Sequence, residues 1–113
     1  MARRHLNQKK WAPTLRYTEP FKALGEPHRL MVFNRIARHG APIPMQELLK
    51  HFGANKSVMS RVITLLEDAK LVRRITSHDR TVTVEVNMST LRLIAGLLVS
   101  THQALLPPKA GAP

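Results

Sequence analysis

Residues 52–72 read FGANKSVMSRVITLLEDAKLV, and the fold turns on this stretch. Met45, Leu48, Leu49 and Phe52 form a short apolar-periodic run that Gly53 ends, because a helix stop in the left-handed region suits glycine. Ala54 and Asn55 bridge to a second helix, for which either Asn55 or Ser57 is the N-cap. Val58, Val62, Leu65, Leu66 and Ala69 recur on it at helical spacing and are its expected buried stripe. Two helices meeting at so tight a turn make a helix-turn-helix.

Beyond Leu71 the helical period gives way to alternation. Val82, Val84 and Val86 alternate with Thr81, Thr83 and Glu85, as in a half-buried strand, and Val72 to Ile75 is its natural partner. The polar connection Thr76-Ser77-His78-Asp79-Arg80 has the length of a hairpin loop, with Asp79 expected to turn it by bonding its own backbone. The hairpin reads as a wing.

Upstream, Phe21, Ala23 and Leu24 form an apolar turn ending at Gly25, and Glu26 with Pro27 opens the next helix as cap and first residue. Leu30, Phe33, Ile36 and Ala37 are its expected inner face and Gly40 its stop, after which Ala41 to Pro44, with two prolines, is extended. The predicted fold class is mainly α with a small β-hairpin, a winged helix-turn-helix. Residues 1–18 are expected to be a basic, mobile arm, 19–88 the DNA-binding domain, 89–106 a C-terminal dimerisation helix and 107–113 a flexible tail. Ser89 to Leu106, with Leu91, Leu93, Ile94, Leu97, Leu98 and Leu105, is more apolar than a monomer of this size tolerates on its surface, so a homodimer is expected.

Composition narrows the function. Eighteen Lys and Arg against seven Asp and Glu leave a formal charge of +11 on 113 residues, beyond the roughly 2–8 that solubility needs. A polyanion is the expected partner. Hydrophobic residues make up 43% but aromatics 4%, so the core is aliphatic. The lack of cysteine excludes disulfides, thiolate metal sites and a cysteine nucleophile. Met1 to Lys10 has no apolar signal-peptide core, and the Leu93 to Val99 run is far shorter than the ~20 residues of a membrane span. A cytoplasmic, nucleoid-associated protein with no membrane partner is the expectation.

Opposite the expected stripe of the second helix of the motif lie Lys56, Ser57, Ser60, Arg61 and Thr64, with Asn55 at its start. The acidic Glu67 and Asp68 come only near its far end. A helix placed in the major groove, about 12 Å wide, would present these donors to base edges, and Arg61 suits guanine O6 and N7 together. Arg73, Arg74, His78 and Arg80 on the wing are expected to position it along the backbone. Arg3, Arg4, Lys9 and Lys10 could carry the arm into the minor groove.

These features resemble the ArsR-type winged-helix repressors. Phe21-Lys22-Ala23-Leu24-Gly25-Glu26-Pro27-His28-Arg29-Leu30 is similar to that family's opening helix and its Pro-x-Arg-Leu entry to the next, and residues 52–72 to its helix-turn-helix signature. The resemblance spans roughly residues 19 to 90. It implies a dimer held by terminal helices, a recognition helix starting near Asn55, and operator binding that blocks transcription. Lys70 stands where the family usually has glycine, so either the helix ends differently or the lysine turns left-handed. The family's sensor cysteines are absent, and the last helix offers only His102 as a ligand.

The six histidines form no i,i+3 or i,i+4 pair, so no metal or other cofactor is expected, and no effector can be named. Nor is there a nucleophile elbow, a phosphate-binding glycine loop or a paired-carboxylate site, which argues against an enzyme. A sequence-specific regulator, a repressor acting as a homodimer on an inverted-repeat operator, is the leading expectation. The alternatives are a DNA-organising or segregation protein that coats repeated sites, and an RNA- or protein-binding module.

Overall fold

The computed structural model describes residues 14–107. The basic residues Arg3, Arg4, Lys9 and Lys10 and the end of the tail lie outside them. The first helix, α1 (Leu15–Leu24), starts four residues before the point suggested by the sequence. Pro20 sits inside it although an interior proline costs a backbone bond. Pro20 is buried and Tyr17 packs on the core, which explains why the extra turn forms.

Helix α2 (Pro27–His39) is capped by Glu26, whose carboxylate accepts from the Arg29 amide at 2.9 Å. Arg29 Nε in turn donates to the Ala23 carbonyl at 2.9 Å, satisfying an orphan acceptor at the end of α1 and clamping the two helices. That bond gives the Pro-x-Arg-Leu entry a physical role. Gly40, at φ 75°, ends α2. The inner face is Val32, Phe33 and Ile36, whereas Leu30, expected there, is exposed.

The chain after Gly40 does more than extend. Ile43–Pro44 forms a short strand, β1, and Met45–Phe52 is α3, ended by Gly53 at φ 60°. Lys56–Asp68 is α4, Val72–Thr76 and Val82–Val86 are β2 and β3, and Met88–Leu105 is α5. The sheet is antiparallel in the order β1-β3-β2. Val72 pairs with Val86 and Arg74 with Val84, while Ile43 meets Val84 from the other side. The hairpin predicted from the valine alternation is therefore a three-stranded sheet. Pro44 is tolerated because β1 is an edge.

The core lies where this sheet meets α2, α3 and α4. Ile36, Ile43, Leu48, Ile63, Leu66, Leu71, Val72 and Val84 are its fully buried members, each contributing about 1.5–3 kcal/mol by removal from water. This core fixes α4 against the wing, the relation on which the site depends.

Candidate nucleic-acid interface

Helix α4 begins where Asn55 leaves the extended region, and the Asn55 side chain accepts from the Val58 amide at 2.9 Å. Asn55, not Ser57, is the cap, and the Ser57 hydroxyl donates to the same oxygen at 3.1 Å. Met59, Ile63 and Leu66 are the buried face. Of the expected stripe, Leu66 and Ala69 are buried, whereas Val58 is 54% and Leu65 41% exposed and Val62 is half-buried. Helix α4 carries two adjacent apolar rows, and the outer one lines a groove of about 510 Å³ with Met31, Val32 and Phe52.

The solvent-facing surface of α4 holds Lys56, Ser57, Arg61 and Thr64, all exposed, while Ser60 is partly covered. No carboxylate interrupts it until Glu67, and Glu67 is already neutralised. It forms an ion pair with Arg74 Nη1 and also accepts the Arg74 amide at 3.2 Å. Arg74, expected to reach DNA, points back from β2 onto α4. Its Nη2 donates to the Ser60 carbonyl at 2.7 Å and to Ser60 Oγ at 2.8 Å, and Nη1 donates to Thr64 Oγ1 at 3.0 Å. The sequence offered no signal for this, because Glu67 and Arg74 are seven positions apart across the end of a helix.

The remaining wing residues stand outward. Arg73 donates to Glu85, its cross-strand partner, at 2.8 Å but stays largely exposed. His78 and Arg80 are exposed at the tip. The loop is closed by the Ser77 amide on the Thr81 carbonyl at 2.9 Å and by the Thr81 amide on Asp79 Oδ1 at 3.0 Å, the turn role foreseen for Asp79. Bonds from Ser77, and then from Thr81, hold the Asp79 carboxyl down to about 2, so it stays charged. Arg80 occupies the left-handed region at φ 65°.

Arg61 on α4 and Arg80 on the wing are thus exposed cations on the helix and hairpin that one core holds together. An exposed, cationic helix followed by a basic hairpin is the apparatus of a winged helix-turn-helix, and the MarR family model matches residues 26–80, just under half of the chain. The chain has the winged helix-turn-helix fold. Solved structures carry the same fold. A crystallised ArsR family transcriptional regulator superposes with a TM-score of 0.64 at 24% identity, over 79% of this chain and 89% of the other. The homodimeric winged helix-turn-helix DNA-binding domain of a Mycobacterium bovis protein, described as a possible ArsR-family transcriptional regulator, gives 0.65 at 19%, over 89% and 92%. No curated protein sequence matches significantly.

In this winged-helix domain, no group of three or more His, Cys, Asp or Glu side chains among the described residues could hold a metal ion. No helix among them is long and apolar enough to cross a membrane. Lys70, where the resemblance led one to expect glycine, adopts φ 63°.

Proposed function

We propose that this winged-helix DNA-binding regulator is a sequence-specific repressor that binds an inverted-repeat operator in duplex DNA as a homodimer. The observation that carries the reading is the outer face of α4: Lys56, Ser57 and Arg61 are exposed in its first turns with no acidic neighbour on that face. Such a face suits base edges, with Arg61 against a guanine. Arg73, His78 and Arg80 would follow the backbone, whose phosphates supply affinity more than sequence preference.

The dimer rests on α5. Of its eighteen residues only Ile94 is buried, while Leu98 is 55%, Val99 54% and Leu105 79% exposed. So large an apolar surface calls for a cover, and a second copy related by a two-fold axis would set two recognition helices about 34–36 Å apart. The deciding experiment selects bound duplexes from a random pool, with the wild type and Arg61→Ala, at two salt concentrations. A palindromic consensus that Arg61→Ala blurs at one base pair per half-site, by about 1–3 kcal/mol, is the expected result. Tandem sites filled cooperatively would indicate a DNA-coating protein instead. Binding without any consensus, fading as salt rises, would overturn sequence reading altogether.

A further inference from the structure

We propose that Arg74 is a positioning residue that locks the recognition helix to the wing and selects which α4 hydroxyls remain to read bases. The inference deepens the reading of α4 as the DNA reader and rests on it. Four of the five N–H bonds of a guanidinium are engaged on α4: Nη1 meets Thr64 Oγ1 and Glu67 Oε1, and Nη2 meets the carbonyl and the hydroxyl of Ser60. The Arg74 amide adds a fifth link, to Glu67 Oε2. A surface arginine reaching for a phosphate keeps its fork free, whereas this one would have to abandon every one of these partners. Its charge is matched by Glu67 at the other end of the pair, so the pair as a whole adds little attraction for the DNA backbone.

The consequence falls on the two hydroxyls. Thr64 Oγ1 donates its one proton to the Ser60 carbonyl at 2.9 Å and accepts from Arg74, so it has no proton left for a base, although Thr64 is exposed. Ser60 Oγ accepts from Arg74, and its own proton is left to point elsewhere. With a cation against its oxygen, Ser60 faces the groove as a donor. With one lone pair already taken by Arg74, the free proton favours donation to guanine N7 or O6, adenine N7 or thymine O4 over acceptance from an amino group of cytosine or adenine. Arg74 thus reaches the sequence preference through Ser60 and through the angle of α4, without touching DNA.

The test uses the full chain and two readouts. In the free protein, Arg74→Met should speed amide hydrogen exchange across residues 60–76 while leaving α2 unchanged, and Glu67→Gln, a milder change, should do the same to a smaller extent. On selected duplexes, Arg74→Met should cut discrimination between consensus and mismatched half-sites roughly tenfold and leave the dependence of log Kd on log salt unaltered. Thr64→Val should keep the consensus, and Ser60→Ala should lose preference at a single base pair. A fall of about 0.9 in the salt slope, the mark of a lost phosphate contact, with the consensus intact would overturn the proposal. So would unchanged exchange in both variants. If the wild type itself selects no consensus, the DNA-reading function fails, and the exchange readout alone then decides whether Arg74 is the lock.

Discussion

The Lys70 amide donates to the Glu67 carbonyl at 2.8 Å while Lys70 itself stands at φ 63°. The next amide, of Leu71, reaches back to Leu66 at 3.0 Å, and Leu66 and Leu71 are both fully buried. This paired closure with its apolar contact is a Schellman end, built around a lysine in a conformation that costs a side-chain-bearing residue about 1–2 kcal/mol. Lys70→Gly should relieve that strain and raise the melting temperature by about 4 °C for each kcal/mol gained. Lys70→Ala, which removes the charge but not the Cβ, should bring no comparable gain. Calorimetry of the two variants separates strain from charge.

Asn55 has a capping duty that the sequence could only partly foresee, since its oxygen serves the Val58 amide and the Ser57 hydroxyl together. Asn55→Ala should cost about 1 kcal/mol of stability. Asn55→Asp keeps an acceptor at the cap, so the fold should hold, but it adds a negative charge at the start of the helix proposed to face DNA. Its DNA affinity should fall, most steeply at low salt where screening is weakest. Thermal melting with fluorescence anisotropy at two ionic strengths distinguishes the two effects.

Glu26 gives the fold a defined acid sensitivity. The Arg29 amide, and after it the His28 side chain, hold its carboxyl at about 2 instead of the ordinary 4.5. A carboxyl depressed on folding contributes stability that is present above its unfolded value and is lost as pH falls toward the folded one. The wild type should therefore be more stable than Glu26→Gln at neutral pH, and the difference should close between about 4.5 and about 2. Other carboxyls titrate in both proteins, so the difference in melting temperature isolates this one. A gap that stays constant down to pH 2 would show that the charge at the cap is irrelevant.

What the sequence made legible follows from how local each signal is. The caps Glu26, Gly40, Gly53 and Asn55 act within one turn of themselves, and all four stand where the sequence suggested. The buried row of α4 was read correctly at Leu66 and Ala69 but missed at Met59 and Ile63, because Val58, Val62 and Leu65 form as good an apolar series. Only the sheet and the neighbouring helices on one side decide between them. Strand β1 was missed because two residues, one of them proline, carry no period; its existence depends on Val84 across the sheet. Arg74 looked like its neighbour Arg73 in sequence, yet strand alternation sends the two side chains to opposite faces, one to Glu67 on α4 and the other to Glu85.

The strongest quantitative contrast lies along α5, where Ile94 and Leu98 are one helical turn apart and differ in what covers them. Ile94 is packed into the core of its own chain, so Ile94→Ala should cost about 2–5 kcal/mol in any assembly state. Leu98 is more than half exposed, so Leu98→Asp should leave the protomer folded if the chain is taken alone. In the proposed dimer the same aspartate would be buried without a partner, a state proteins avoid strongly. Sedimentation at micromolar concentration should then find the wild type as a dimer and Leu98→Asp as a folded monomer, with circular dichroism unchanged. The monomer should also lose most of its affinity for a palindrome while keeping weak binding to a half-site, because each half-site contact survives and only their linkage is gone. A wild type that sediments as a monomer would remove the dimer from the proposal and leave α5 to another partner.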